Sequence, residues 1–326
     1  MQALRRWRVL LVLKPSDVYP PRAVQELEGP LSCPPSSPDL SRVVNPRILH
    51  YLDDRCRVHK ETVNFCQDIL QRRSLEWQPV IRNDLSRPIR GVDIVVTVGG
   101  DGTLLRASHF LDGDIPVLGV NSDPTQSKEV ENFNNEFDAR RSTGYLCAAT
   151  AENFEQVLDE VLNGHCVPSS LSRISMSLNN HLLPTFALND VLIAHPCPAS
   201  VSRFSFRIMS RVEVASSLGH CRSSGLRVCT ATGSTAAMAS AGGFPMPISS
   251  ADLQYMVREP IFPKDRGSMH GLIKAGETMQ AMWYSKEGAI YVDGSHVVFP
   301  IQHGDALGIS SEAPALRVYL PPNLSL

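Results

Sequence analysis

The 326-residue chain contains no apolar run approaching the roughly 20 residues that a membrane helix requires. Its longest, Val9-Leu10-Leu11-Val12-Leu13 and residues 92–98, stop far short, so no transmembrane span is expected. It has no surplus of one charge either: 31 Lys plus Arg stand against 33 Asp plus Glu, a net charge of -2. Broad nucleic-acid binding needs a concentrated excess of cations to displace phosphate counterions, and only a local basic pocket is compatible with this balance. The eight cysteines (33, 56, 66, 147, 166, 197, 221 and 229) form no C-x-x-C pair, which argues against a zinc module or a thioredoxin-type centre. Reduced, mostly buried thiols and a reducing compartment fit them best. His195-Pro196-Cys197 has no second ligand pair at useful spacing, so no protein-bound metal is expected. A Walker A Gly-Lys-Ser/Thr and a G-x-G-x-x-G fingerprint are both missing.

The ends carry weak addresses. Arg5, Arg6 and Arg8 precede five aliphatic residues as in a secretory leader, but the run is short and Lys14-Pro15 ends it. No small-residue cleavage site follows, so a buried first strand is the expectation. The terminal Asn323-Leu324-Ser325-Leu326 is not the Ser-Lys-Leu peroxisomal signal. Cytoplasmic residence is therefore expected, with a peroxisomal form as the alternative.

What is present alternates between strand and helix at first. Residues 9–13 read as a strand and 15–46 as an exposed Pro- and Ser-rich loop. Residues 52–75 read as a surface helix whose acidic start and basic end suit its dipole. A short strand at Val80-Ile81 and a β-branched run at 92–98 follow, then a glycine-rich turn, a helix at 104–111 and a strand at 115–120. Residues 121–143 read as a long polar loop, and 151–162 as an amphipathic helix. Beyond Cys166 short alternating runs dominate, at 174–178, 186–194, 204–209, 211–215, 226–230, 279–284, 289–292 and 316–320. This predicts a Rossmann-like three-layer α/β domain over residues 1–165 and a β-rich, β-sandwich-like domain over 166–326. The final residues are a candidate for packing back on the first domain.

Three segments bear chemistry. Gly99-Gly100-Asp101-Gly102-Thr103 lies between strand and helix, where backbone N–H groups and a helix N-terminus stabilise phosphate. Asp101 would repel that phosphate unless it had a task. It either removes the proton of an attacking hydroxyl as general base or caps the helix behind it. Cys229 to Gly243 is a run of small residues with hydroxyls at Thr230, Thr232, Ser234, Thr235 and Ser240. It suits either a flat heterocycle and ribose or a close helix–sheet contact. Asn189-Asp190 opens a strand and offers donors and acceptors for an adenosine, or simply makes a turn.

In this order the segments resemble the NAD kinase family, closest to its divergent plant-type NADH kinases. The block 98–107 looks like the family's GGDGT segment, Asn189-Asp190 like its N-E/D pair and Thr232-Gly233-Ser234-Thr235-Ala236 like its TGSTA segment. Gly119-Val120-Asn121 and Val292-Asp293-Gly294 match its G-x-N and D-G turns, and the resemblance spans about residues 7 to 320. It implies transfer of the ATP γ-phosphoryl group to the 2′-hydroxyl of the adenosine ribose of NADH or NAD⁺, with Mg²⁺ accompanying ATP, in a homodimer joined through the β-rich domain. Asp101 would be the base; Gly99, Gly100, Gly102 and Thr103 would meet phosphates; Arg106 would reach a pyrophosphate. Asn189 and Asp190 would hold the adenosine, Thr235, Ala236 and Ser240 would line the adenine, and Thr232 and Gly233 would belong to the same nucleotide-binding set. Arg203 and Arg222 would add basic contacts. GGDG-type loops also occur in diacylglycerol and sphingosine kinases, so a lipid kinase is the alternative, followed by a silent nucleotide-binding regulator on the same fold. Two departures bear on the acceptor: a family carboxylate is replaced by Ser224, and a family aromatic by Ala237. Both removed groups attract cations, so NADH is expected to serve at least as well as cationic NAD⁺.

Overall fold

Along the first strand Val9, Leu11 and Leu13 enter one apolar cluster while Leu10 and Val12 enter another. That period-2 alternation, repeated in the strands beside it, dictates a sheet buried on both faces. The computed structural model describes residues 6–16, 46–210, 216, 218–261 and 269–324. The Pro- and Ser-rich segment, save its ends, and the run 211–215 lie outside them.

The α/β part opens with β1 (Arg8–Leu13), β2 (Glu76–Ile81), β3 (Ile94–Gly99), β4 (Val117–Asn121), β5 (Ala149–Thr150) and β6 (Ser169–Leu171). Its helices are α1 (Pro46–Arg72), α2 (Asp101–Ser108), α3 (Ser127–Phe133) and α4 (Phe154–Leu162). Residues of α1 and α4 pack with Ile94, Val96 and Val98 on one face of the sheet. Leu104 and Ala107 of α2 pack with Val95 and Val117 on the other. Three layers result, as expected.

The strands that follow are β7 (Ser175–Leu178), β8 (His181–Leu182), β9 (Asp190–Ala194), β10 (Ser202–Met209), β11 (Gly219–Ser223), β12 (Gly225–Cys229) and β13 (Leu253–Arg258). Next come β14 (His270–Ile273), β15 (Thr278–Trp283), β16 (Glu287–Val292), β17 (Val297–Gln302), β18 (Ala306–Ser310) and β19 (Leu316–Tyr319), with the short α5 at Ala237–Ser240. Two antiparallel six-stranded sheets form, in the orders β11-β10-β15-β18-β7-β8 and β14-β13-β12-β9-β16-β17. Their apolar faces share one core, in which Phe204 stacks on Trp283 at 6.2 Å and Phe206 meets Tyr255 edge-on at 5.4 Å. This is a β-sandwich.

The first sheet runs β2-β1-β3-β4-β19-β6, with β5 also paired to β4. Strand membership thus crosses the boundary drawn at residue 165, because β6 and β19 belong to the parallel sheet. Two local expectations need correction. Helix α1 begins at Pro46, a residue whose fixed φ suits the first helical position, so its first turn holds no acidic residue and only Arg72 complements the dipole. Within 121–143, α3 forms where a loop was expected. Phe133 and Phe137 cluster with Tyr51 of α1 at 4.9 and 5.7 Å, and Arg55 and Arg141 bridge Asp123 and Glu129. Tertiary contacts, not local periodicity, order this segment.

Candidate active site

Strand β3 ends in Gly99, and α2 starts two residues later with Gly100 as its N-cap. Asp101 is the first helical residue and makes no capping bond, which removes the capping alternative. Its carboxylate turns to the neighbouring segment instead. Oδ2 accepts the Tyr145 N–H and Oδ1 the Leu146 N–H, each at 2.9 Å, and the Cys147 thiol lies 3.8 Å from Oδ1. A carboxylate has about four lone-pair sites, so acceptor capacity remains for a substrate hydroxyl.

The glycines divide by role. A Cβ on Gly99 would lie 2.2 Å from Thr103 Oγ1, and one on Gly100 would lie 2.4 Å from the Ser142 side chain. At both positions the missing side chain makes room for the turn's own packing. On Gly102 a Cβ would meet only Arg82 Nη1, at 3.7 Å, so this residue presents bare backbone. Thr103 is fully buried and accepts from Arg82 at 3.4 Å, which makes it part of the turn's support. The Arg106 guanidinium, expected at a pyrophosphate, lies over the Phe110 ring at 4.8 Å and donates to the Leu85 carbonyl at 3.5 Å. The cations beside the turn are Arg82 and Lys14, neither anticipated from sequence. Burial pulls the Lys14 ammonium below its usual range, with Arg82 adding to the shift and Asp123 opposing it. Like charges gathered at an amide-rich turn favour an anion between them.

The second half of the site is organised by Asp293. Its side chain is 0% exposed, and its carboxylate accepts the N–H groups of Leu188 at 2.8 Å, Asn189 at 2.7 Å and Asp190 at 3.0 Å. The Asn-Asp pair is therefore not a free turn but is fixed from behind. Asn189 Oδ1 is buried with no hydrogen-bond partner, an acceptor left for a ligand donor. Asp190 pairs with Arg227 of β12. Burial pushes the Asp190 carboxyl up, while Arg227 pulls against it. A cleft of about 470 Å³ opens here, lined in part by Asn189, Asp190, Arg227, Ala236, Ala237 and Tyr291. A second, of about 560 Å³, shares Arg227 and Ala237 with it and adds Ser240, Arg258 and Glu259.

The small-residue run splits likewise. Thr230, Thr232 and Ser234 are buried; Thr230 Oγ1 donates to the Leu188 carbonyl at 2.6 Å and Ser234 Oγ to that of Ala231 at 2.6 Å. A Cβ on Gly233 would lie 2.1 Å from the Asn189 carbonyl oxygen. Thr232 and Gly233 are buried, Gly233 against the Asn189 backbone, whereas Thr235, Ala236 and Ser240 are exposed. Arg203 and Arg222 face one another across β10 and β11, both exposed, and line neither cleft. The missing carboxylate at Ser224 is made good in space, because Ser224 Oγ donates to Glu259, which adopts a left-handed φ of 46°.

The family model for the ATP-NAD kinase N-terminal domain matches residues 47–123. The chain is 63% identical over 324 residues to a probable NADH kinase of Oryza sativa subsp. japonica, covering 99% of this chain and 98% of that one. It is 56% identical over 320 residues to the NADH kinase of Arabidopsis thaliana, covering 98% and 97%. Among solved structures it is similar to an NAD kinase from Archaeoglobus fulgidus in complex with ATP, with a TM-score of 0.62 at 18% identity over 97% of this chain and 95% of that one. At that identity the likeness bears on the fold.

Proposed function

Since the chain belongs to the NAD kinase family, we propose that it is the enzyme that transfers the γ-phosphoryl group of ATP to the 2′-hydroxyl of the adenosine ribose of NADH, giving NADPH. The observation that carries this reading is the orphaned Asn189 Oδ1 beside Asp190 in a cleft of dinucleotide-fragment size. A ribose or adenine donor satisfies that acceptor. Asp101 takes the proton of the 2′-hydroxyl as the oxygen attacks phosphorus, and the bare amides at Gly102 with Arg82 and Lys14 receive the charge of the donor phosphates. Mg²⁺ enters with ATP as part of the substrate. Its charge would offset that of the donor phosphates as the γ-phosphoryl group is transferred. Production of NADPH by the purified protein, with diacylglycerol and sphingosine as failing acceptors, tests the reading.

Arg82→Ala is expected to raise KM for ATP about tenfold, the size of one charge-assisted contact, with a smaller change in KM for NADH. Equal changes in both constants would remove Arg82 from the phosphate site. For the acceptor, Glu259 restores the anion that Ser224 lacks, so the charge half of the case for NADH falls away. Ala237, which lines both clefts without an aromatic ring, retains the other half. kcat/KM for NADH is expected to equal or exceed that for NAD⁺ at fixed ATP; a strong NAD⁺ preference overturns this. Family resemblance extends the proposal to a homodimer, which light scattering measures. Free cysteines, four of them buried among the described residues, suit a cytoplasmic protein, which imaging of a tagged chain tests.

A further inference from the structure

Asp101 and the Asn189–Asp190 pair come from separate motifs, and a third pair of side chains joins them. His109 follows the last residue of α2, at its C-cap, with its side chain only 4% exposed. Its Nε2 lies 2.9 Å from Asp293 Oδ2, the same oxygen that accepts the Leu188 N–H. Asp293 returns its own N–H to the Asp190 carbonyl at 2.9 Å, so acceptor and donor both grip the adenosine pair. His109 Nδ1 is buried and has no partner. An unused acceptor is tolerated better there than an unused donor, which places the hydrogen on Nε2, where it donates to Asp293.

Helix α2 is thus a strut. Its eight residues span about 12 Å, with the base at the first residue and His109 just past the last. The far end cannot slide, because the fully buried Arg173 donates to the carbonyls of Ser108, Leu111 and Asp112 at 3.1, 2.7 and 3.2 Å. Three backbone amides already satisfy most of the Asp293 carboxylate. What the histidine adds is a link between that carboxylate and the helix carrying the base.

We propose that His109 is a positioning residue that, through Asp293, fixes the separation between the Asp101 carboxylate and the adenosine held at Asn189–Asp190. The proposal rests on the kinase reading above. Leu at this position keeps bulk without an N–H, whereas Gln places an amide N–H where Nε2 stood. The test measures kcat with NADH and ATP, Kd for NADH alone by fluorescence titration, and thermal midpoints, with turnover assayed well below the lowest midpoint. His109→Leu is expected to lower kcat by about tenfold to a hundredfold, as a misplaced reacting group does, while Kd for NADH stays within about threefold. His109→Gln is expected to recover most of the turnover. His109→Leu with wild-type kcat overturns the proposal, as do a Gln variant as slow as Leu or an NADH affinity that falls in step with kcat. Wild-type protein that makes no NADPH overturns the kinase reading instead, before any variant is compared.

Discussion

Asp101→Asn is expected to lower kcat about a thousandfold, within the range that a positioned general base contributes. The structure adds a second effect that must be measured beside it. Both carboxylate oxygens accept backbone N–H groups, from Tyr145 and Leu146. An Asn can serve one of them, but its amide nitrogen turns a donor toward the other. The mismatch costs about 1–3 kcal/mol and loosens the segment that walls the turn. A lower thermal midpoint is therefore part of the expected result, and NADH affinity, set at the other end of α2, is expected to persist. Turnover within tenfold of wild type at a temperature where the variant is folded would falsify the base assignment.

The largest effect on stability is expected at Asp293. Asp293→Ala strands three buried N–H groups and the His109 ring, and it puts a residue with no side-chain hydrogen bond at a left-handed φ of 49°. Removing one partner from such a buried charged network costs about 3–5 kcal/mol. Chemical denaturation checks the value. Asp293→Asn, which keeps one acceptor and the shape, is expected to lose less; an Ala variant within about 1 kcal/mol of wild type, the net worth of a single hydrogen bond, would mean that water replaces the carboxylate.

The framework of the site was readable because its signals are local. A β-branched run ending in glycines can only be a buried strand feeding a turn, and β3, Gly100 and α2 follow from it. The chain-order resemblance likewise marked Asn189, Asp190 and the TGSTA block. Other features depend on contacts that the sequence pattern does not display. Arg106, which the resemblance sets at a pyrophosphate, lies over Phe110 and donates to the Leu85 carbonyl. Gly233 is packed against the Asn189 backbone, a contact between two motifs that lie far apart in the chain. Arg82 lies 21 residues from Thr103, and His109 lies 184 from Asp293, separations at which spacing carries no information. Pro46 closes the Pro- and Ser-rich run in the sequence yet begins α1 in the fold.

The place of β19 also governs the order in which the molecule can be made. Its parallel pairing to β4, Val318 against Val117 and Tyr319 against Leu118, and its antiparallel pairing to β6 set it between two strands that come far earlier in the sequence. Until β19 docks, β6 has no partner in this sheet and β4 lacks its second partner at Val117 and Leu118, whatever β5 pairs beside them. Contacts of such sequence separation slow folding and expose strand edges meanwhile. A chain cut before residue 316 would hold every residue of the glycine turn yet lack the strand that joins β4 to β6 in the sheet beneath it.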